Sequence, residues 1–269
     1  MFVLKILPVR KLPLKVGNFF LYYWSASLPL GAVVRINFRN KPCLGIVLES
    51  QTAVELKDEI KKSPFAVKKI KEVISDQPII PVSLISLAKF ISEYYFCSLP
   101  SAIKTVLPSN FLRLINLMKK ESATSDHLSN QSFQKIKESP IVIQENNFSN
   151  FQKQFDKFNN FSGQTLILTP TIFHLKFYQD LLPIKTSIYQ RNEKDSLNIW
   201  QEVIMNKSMI VLGLRSAVFL PFQDLKTIII ISPENSAYKS WDQKPYYQAV
   251  KLAQKIASYH KADLIYLYD

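Results

Sequence analysis

The sequence predicts a small β-rich, barrel-like domain of α+β character, followed by an α/β domain built on a doubly wound parallel sheet. Three observations carry this. Residues 33–38 alternate, with Val34, Ile36 and Phe38 on one side and Val33, Arg35 and Asn37 on the other; a period of two marks a half-buried strand. From Ile141 onward, short apolar runs alternate with helical stretches, the rhythm of strand–helix units. The charge divides in the same sense. Residues 1–120 hold 18 Lys/Arg against 7 Asp/Glu, net +11, whereas residues 121–269 hold 16 against 14, net +2.

In chain order, residues 2–7 read as a first strand and residues 8–17 as a basic turn region. An aromatic cluster from Phe19 to Trp24 leads into the alternating strand. A basic turn, Arg39-Asn40-Lys41-Pro42, reverses the chain into a second strand, Cys43–Leu48. Gly45 inside that strand predicts a bulge or a close backbone approach. Residues 51–66 read as a loop with a helical turn, and Lys68–Ile74 as another strand ended by Asp76-Gln77-Pro78. Pro81-Val82-Ser83 opens a helix with Leu84, Leu87, Ala88, Ile91, Tyr94 and Tyr95 on one face, which places its aromatic end in the core. The expected boundaries are 1–108 for the first domain, 109–140 for a linker and 141–269 for the second domain. Within the linker, residues 111–120 have the pattern of one short amphipathic helix.

In the second domain, strands are expected at 141–143, 165–169, 186–189, 208–212, 226–231 and 263–268. Helices are expected near 148–158, 171–181, 194–205 and 246–259. The run Thr227 to Ile231 is apolar on both faces, as a sheet covered by helices requires. Phe148, Phe151, Phe155 and Phe158 have helical spacing and read as core packing.

No apolar run approaches the length needed to span a bilayer, so no membrane is expected among the partners. Cys43 and Cys97 make neither a disulfide framework nor a metal cluster, which points to a reduced cytoplasmic protein. His127, His174 and His260 have no spacing for metal or nucleophilic catalysis. Clustered positive charge attracts phosphate without regard to sequence. The N-terminal basic excess and the aromatic hairpin therefore point together to nucleic acid.

The order of segments in the first 108 residues resembles the 3′-DNA-binding domain of primosomal protein N′ (PriA), the replication-restart helicase family. The matching pieces are Phe20-Leu21-Tyr22, the run from Leu28 through Gly31, Val34 and Ile36 to Phe38, and Gly45-Ile46-Val47. Lys68 to Val73, Asp76-Gln77-Pro78 and the helix ending Tyr94-Tyr95-Phe96-Cys97 follow, with Val106-Leu107-Pro108 closing the unit. The second half resembles the first RecA-like lobe of the same helicase in its scaffold, through Leu166 to Pro170, Gly213 to Phe222, Ala237-Tyr238-Lys239 and Pro245-Tyr246-Tyr247.

The departures shape the expected activity. A phosphate loop needs glycines so that successive backbone N–H groups can wrap phosphates, plus a Lys and a Ser/Thr for Mg²⁺. Residues 144–151 read Gln-Glu-Asn-Asn-Phe-Ser-Asn-Phe, and no glycine occurs from residue 46 to 162. The acidic Mg²⁺ box after a buried strand is replaced by Ile231-Ser232-Pro233-Glu234-Asn235, with Glu234 as the one remnant carboxylate. The sequence ends at Asp269 ahead of a second lobe, and no winged-helix segment or zinc cysteines are seen. The expectation is a degenerate helicase lobe that binds no cofactor and no metal and has no catalytic residues.

The resemblance implies that Phe20, Tyr22 and Lys68 form a pocket for the 3′ end of a nascent strand, with Leu21 where the family often has Asp. Arg39 and Lys41 on the hairpin tip are second candidates for nucleic-acid contact. Arg215 matches a position on the nucleic-acid face of the lobe, where without ATP turnover it would be structural. The function expected is DNA binding at 3′ ends, forks or branched DNA in replication restart, without ATP hydrolysis, with replication-restart proteins as further partners. Two alternatives are a nucleotide-dependent helicase subunit completed by another chain, and an interaction scaffold in a replication complex.

Overall fold

The computed structural model describes residues 1–55, 57–62, 66–122, 142–145, 163–182, 185–191 and 193–268. They form two compact units, residues 1–109 and 110–269. The expected helix near 148–158 with its phenylalanine stripe, His127 and the polar stretch after residue 122 lie outside the described residues. Among the described residues, no helix is long and apolar enough to cross a membrane.

The first unit contains strands β1 (Phe2–Pro8), β2 (Phe20–Trp24), β3 (Val33–Phe38), β4 (Lys41–Thr52), β5 (Lys68–Lys69) and β6 (Glu72–Ser75), with helices α1 (Lys57–Lys62), α2 (Val82–Tyr94) and α3 (Leu99–Val106). The sheet order is β5-β2-β1-β4-β3-β6. Its two edge strands are consecutive in the chain. Between them, the Ile70 N–H donates to the Tyr23 carbonyl (3.1 Å) and the Lys71 N–H to the Arg35 carbonyl (2.9 Å). One stretch of backbone thus serves both edges, so the sheet curls on itself and leaves neither edge open. This is why the strand expected at 68–74 is divided in two.

The interior is filled by Leu4, Ile6, Tyr22, Val34, Ile36, Val47 and Ile70, all buried. Gly45 pairs with Val34 in β3 and Pro8 in β1. A Cβ there would collide with Ile6 Cγ2, so the close approach expected from the sequence is what glycine permits. Gly31 has φ 87° and sits 2.7 Å, measured from an added Cβ, from the Ile80 carbonyl oxygen. It turns the chain after Pro29 so that β3 starts in register.

In α2, Leu84, Leu87, Ala88 and Ile91 are buried as the spacing implies. The aromatic end differs: Tyr94 is 52% exposed and stacks on Phe90 at 5.2 Å, because the helix runs past the core before it ends. Helix α3, absent from the sequence reading, packs on α2 and β1. Ser98 caps it by accepting from the Ser101 N–H at 3.3 Å and donates its own hydroxyl to the Leu12 carbonyl at 2.6 Å.

The second unit has α4 (Phe111–Ser122), β7 (Val142–Glu145), β8 (Gln164–Leu168), α5 (Ile172–Gln179), β9 (Ser187–Tyr189), α6 (Ser196–Ile204), β10 (Ile210–Gly213), β11 (Leu225–Ile231), α7 (Ala249–His260) and β12 (Asp263–Leu267). All pairings in the sheet are parallel, in the order β7-β12-β11-β8-β10-β9. All six strands were expected, within a few residues at their ends. Helix α4 lies in the stretch read as linker; it groups with this unit and packs against α6. Ile228 to Ile231 are completely buried. Gln164 is also buried, and every polar atom of its amide is used. Its Nε2 donates to the Val203 (2.8 Å) and Ser208 (3.2 Å) carbonyls, and its Oε1 accepts from the Gln223 (2.8 Å) and Asp224 (3.1 Å) N–H groups. A buried amide is tolerated only when satisfied in this way.

Candidate nucleic-acid interface

The hairpin of β3 and β4 turns on two residues, Arg39 and Asn40, both left-handed at φ 49° and 60°. Lys41 and Pro42, expected in the turn, already pair with Phe38 and Asn37. Two left-handed residues match the right-handed twist of the flanking strands. Asn adopts that conformation readily, whereas Arg does so at a steric penalty.

The tip meets the start of β2. Phe20 is half-buried and meets Phe38 edge-on, with ring centroids 4.8 Å apart. The Arg39 guanidinium lies 5.8 Å from the Phe38 centroid. Tyr22 is only 3% exposed, and its hydroxyl donates to the Asn37 carbonyl at 3.0 Å. Burial pushes its pKa up to about 12, with Cys43 adding to the shift, so it remains a neutral donor at any working pH. Lys68 pairs with Tyr22 in the ladder between β2 and β5, and Lys69 with Tyr23. Residues far apart in sequence thus border one mouth: half-buried Phe20 as its aromatic surface, Phe38 and Tyr22 as buried support, Arg39 and Lys41 as exposed cations at the hairpin tip, and Lys68 exposed beside Tyr22 in the ladder.

Additional basic residues lie close by. Burial raises the Cys43 thiol pKa, while Arg10 and Lys104 pull it down, which places both cations near the hairpin. The Lys69 ammonium sits 5.9 Å from the Trp24 ring centroid. The sequence reading missed Phe38, Arg10, Lys69 and Lys104. Phe38 carried a signal, as the last inward position of the alternating run beside the basic turn. Arg10 and Lys104 carried none, because only the packing of α3 on β1 relates them to the hairpin.

In the second unit, Arg215 follows β10 and ties down the loop that follows β11. It donates to the Ala237 (3.4 Å) and Lys239 (3.3 Å) carbonyls and pairs with Asp242 at 3.0 Å. Trp241 in that loop is 68% exposed, with the Lys239 ammonium 5.3 Å from its ring centroid. At the C-terminal ends of β8 and β11, the buried Tyr238 hydroxyl lies 2.8 Å from the Leu168 carbonyl and 2.7 Å from the Ile231 carbonyl. Glu234 is exposed.

Comparison with known proteins bears on both units. Residues 11–108 match the family model of the PriA 3′ DNA-binding domain, which includes every residue of the mouth. The replication restart protein PriA of Rickettsia prowazekii is 27% identical over 286 residues, covering 97% of this chain and 41% of that protein. The chain is similar to the PriA family along most of its length. The PriA proteins of Rickettsia typhi and Helicobacter pylori strain J99 are each 27% identical, over 90% and 88% of the chain. The chain spans about two fifths of the length of these PriA relatives, 38–41%.

Proposed function

We propose that the protein binds DNA at 3′ ends and branch points during replication restart, through the mouth formed by Phe20, Phe38, Arg39, Lys41 and Lys68, and does so without hydrolysing ATP. The observation that carries this reading is the partly exposed Phe20 ring, backed by buried Phe38, with the exposed cations Arg39, Lys41 and Lys68 within the span that matches the 3′ DNA-binding domain. An aromatic face stacks on a base for about 1–3 kcal/mol whatever the sequence, and the cations hold the backbone. Tyr22 acts from beneath, fixing Asn37 and the hairpin tip against β2.

The reading of no hydrolysis rests on chemistry that the sequence lacks. Residues 144–151 hold no glycine and no Lys-Ser/Thr pair, and the segment after β11 offers Glu234 alone. One carboxylate does not replace the ligand set that holds a nucleotide-bound Mg²⁺. The site of action in this account is the cytoplasm, in company with other replication-restart proteins. A second reading, a nucleotide-dependent subunit completed by another chain, draws support from the all-parallel sheet of the second unit, an arrangement that binds nucleotides beyond the carboxyl ends of its strands.

Fluorescence anisotropy with a fork, a 3′-tailed duplex and a blunt duplex, with and without ATP, tests the proposal. Tighter binding to the fork and the tailed duplex, unchanged by ATP and with no phosphate released, is expected. Equal affinity for the blunt duplex would refute end and branch recognition. ATP-dependent stabilisation or turnover would favour the second reading.

A further inference from the structure

We infer that helix α5 of the second unit is a self-association surface: its outer side takes the same helix of a second copy of this chain, packed antiparallel about a two-fold axis. The inference is independent of the DNA reading above.

Helix α5, Ile172-Phe173-His174-Leu175-Lys176-Phe177-Tyr178-Gln179, has apolar residues all round its axis. A helix of that kind is ordinarily covered on every side. One side is covered here: Leu175 and Tyr178, with Leu182 just beyond, are buried in the core they share with Ile167, Leu212 and Ile229 of the sheet. The other side faces outward. Phe173 is 77% exposed, and Phe177 (48%) and Leu181 (43%) continue from it at steps of four residues, which aligns the three along one face. The helical course extends far enough to include Leu181, because the Asp180 N–H donates to the Lys176 carbonyl (3.4 Å) and the Leu181 N–H to the Tyr178 carbonyl (3.1 Å). Ile172, also exposed, begins the same helix.

The flanking charges indicate what covers this stripe. Lys176 and Asp180 are exposed and lie one turn apart along one flank of it. Within one helix a cation ahead of an anion is the weaker order, and among the described residues no ion pair joins these two. A second copy turned end for end offers each a better partner. Phe177 then meets Phe177, Phe173 meets Leu181, and Lys176 of each copy lies across from Asp180 of the other. Every contact is reciprocal, as a two-fold interface requires. A nucleic acid would need an excess of cations on this face, whereas Lys176 and Asp180 balance. Residues 121–269 carry only +2, so little self-repulsion opposes the pairing.

The four exposed apolar side chains make a patch of about 400 Å², the size of the largest patch on an ordinary monomer. Two such faces with their charged rim reach about 1,000–1,200 Å², the low end for a specific interface. The dimer is therefore weak and depends on concentration.

Sedimentation velocity of the full chain without DNA, from micromolar to submillimolar protein, tests this. The expected result is a monomer–dimer equilibrium with Kd of about 10–100 µM. Phe173→Ser should raise Kd at least about tenfold. Lys176→Asp or Asp180→Lys alone sets like charges across the axis twice and should weaken the dimer about three- to tenfold, and the double reversal should restore it. All three positions are exposed, so circular dichroism should show each variant folded. A monomer at every concentration overturns the inference, and so does a dimer that Phe173→Ser leaves intact, since the contact then lies elsewhere. A dimer weakened by the single reversals but not restored by the double one overturns the antiparallel pairing. DNA affinity is read in separate assays, so failure here leaves the DNA reading untouched.

Discussion

Replacing Arg39 with glycine separates two roles that most surface cations combine. In stability the change nearly cancels. The left-handed conformation at φ 49° costs a non-glycine residue about 1–2 kcal/mol, which glycine recovers. Against that stand the contact with Phe38, worth about 0.5–1 kcal/mol at an exposed site, and glycine's extra freedom in the unfolded chain, about 0.4–1 kcal/mol. The net change is within about 1 kcal/mol of zero, which for a domain of this size moves Tm by at most about 8 °C. In binding nothing offsets the loss. One fewer phosphate contact flattens the slope of log affinity against log salt by about 0.9 on duplex or about 0.7 on single strands. Thermal unfolding by circular dichroism and a salt titration of strand binding measure the two effects. An unchanged slope would refute the placement of Arg39 on the DNA, and a fall in Tm well beyond about 10 °C would make the guanidinium a structural element instead.

Other substitutions distinguish surface from support. Phe20→Leu keeps an apolar contact with Phe38 but removes the ring, and strand affinity should fall about 5- to 150-fold, equivalent to about 1–3 kcal/mol, as read by anisotropy. Tyr22→Phe leaves the Asn37 carbonyl without its donor; chemical denaturation should show a loss of about 1–3 kcal/mol with a smaller effect on binding. Gly45→Ala drives a methyl into Ile6 and should destabilise the first unit by about 1–3 kcal/mol. In the second unit, burial lowers the His260 pKa from 6.5 to about 4. The unfolded chain therefore takes the proton first as pH falls. This contribution to stability is complete above about pH 6.5 and is lost between there and about pH 4, a change of up to about 3 kcal/mol. His260→Gln should flatten that part of the stability–pH curve, measured by denaturant midpoints.

The parallel sheet was legible because its strands are apolar on both faces and separated by helical periods. Ile228 to Ile231 leave no other reading, and all six strands lie where the sequence places them. The barrel was less so. In Phe19 to Trp24 every position is aromatic or apolar except the tyrosine hydroxyls, so period two cannot tell which face is inward. Burial of Tyr22 and partial exposure of Phe20 follow from tertiary closure. The turn was read two residues too long because Lys41 and Pro42 look like turn residues, yet the backbone needs only Arg39 and Asn40 to reverse. Helix α3 was hidden by Pro100, which stops a helix in its interior but is tolerated in the first turn. Of the residues chosen from the sequence, Phe20 and the Tyr22 hydroxyl meet the hairpin that carries Arg39 and Lys41, and Lys68 lies beside Tyr22 in the ladder, but Phe38, against which Phe20 packs, emerges only from its ring contacts.

The most direct measurement is photocrosslinking of a strand that carries a photoreactive base at its 3′ terminus to the full chain, with the attached residue identified by mass spectrometry. Attachment is expected at Phe20 or its immediate neighbours on β2 and the hairpin tip, and should be lost on Phe20→Leu. Crosslinks confined to the second unit, around Trp241 and the loop held by Arg215, would contradict this reading.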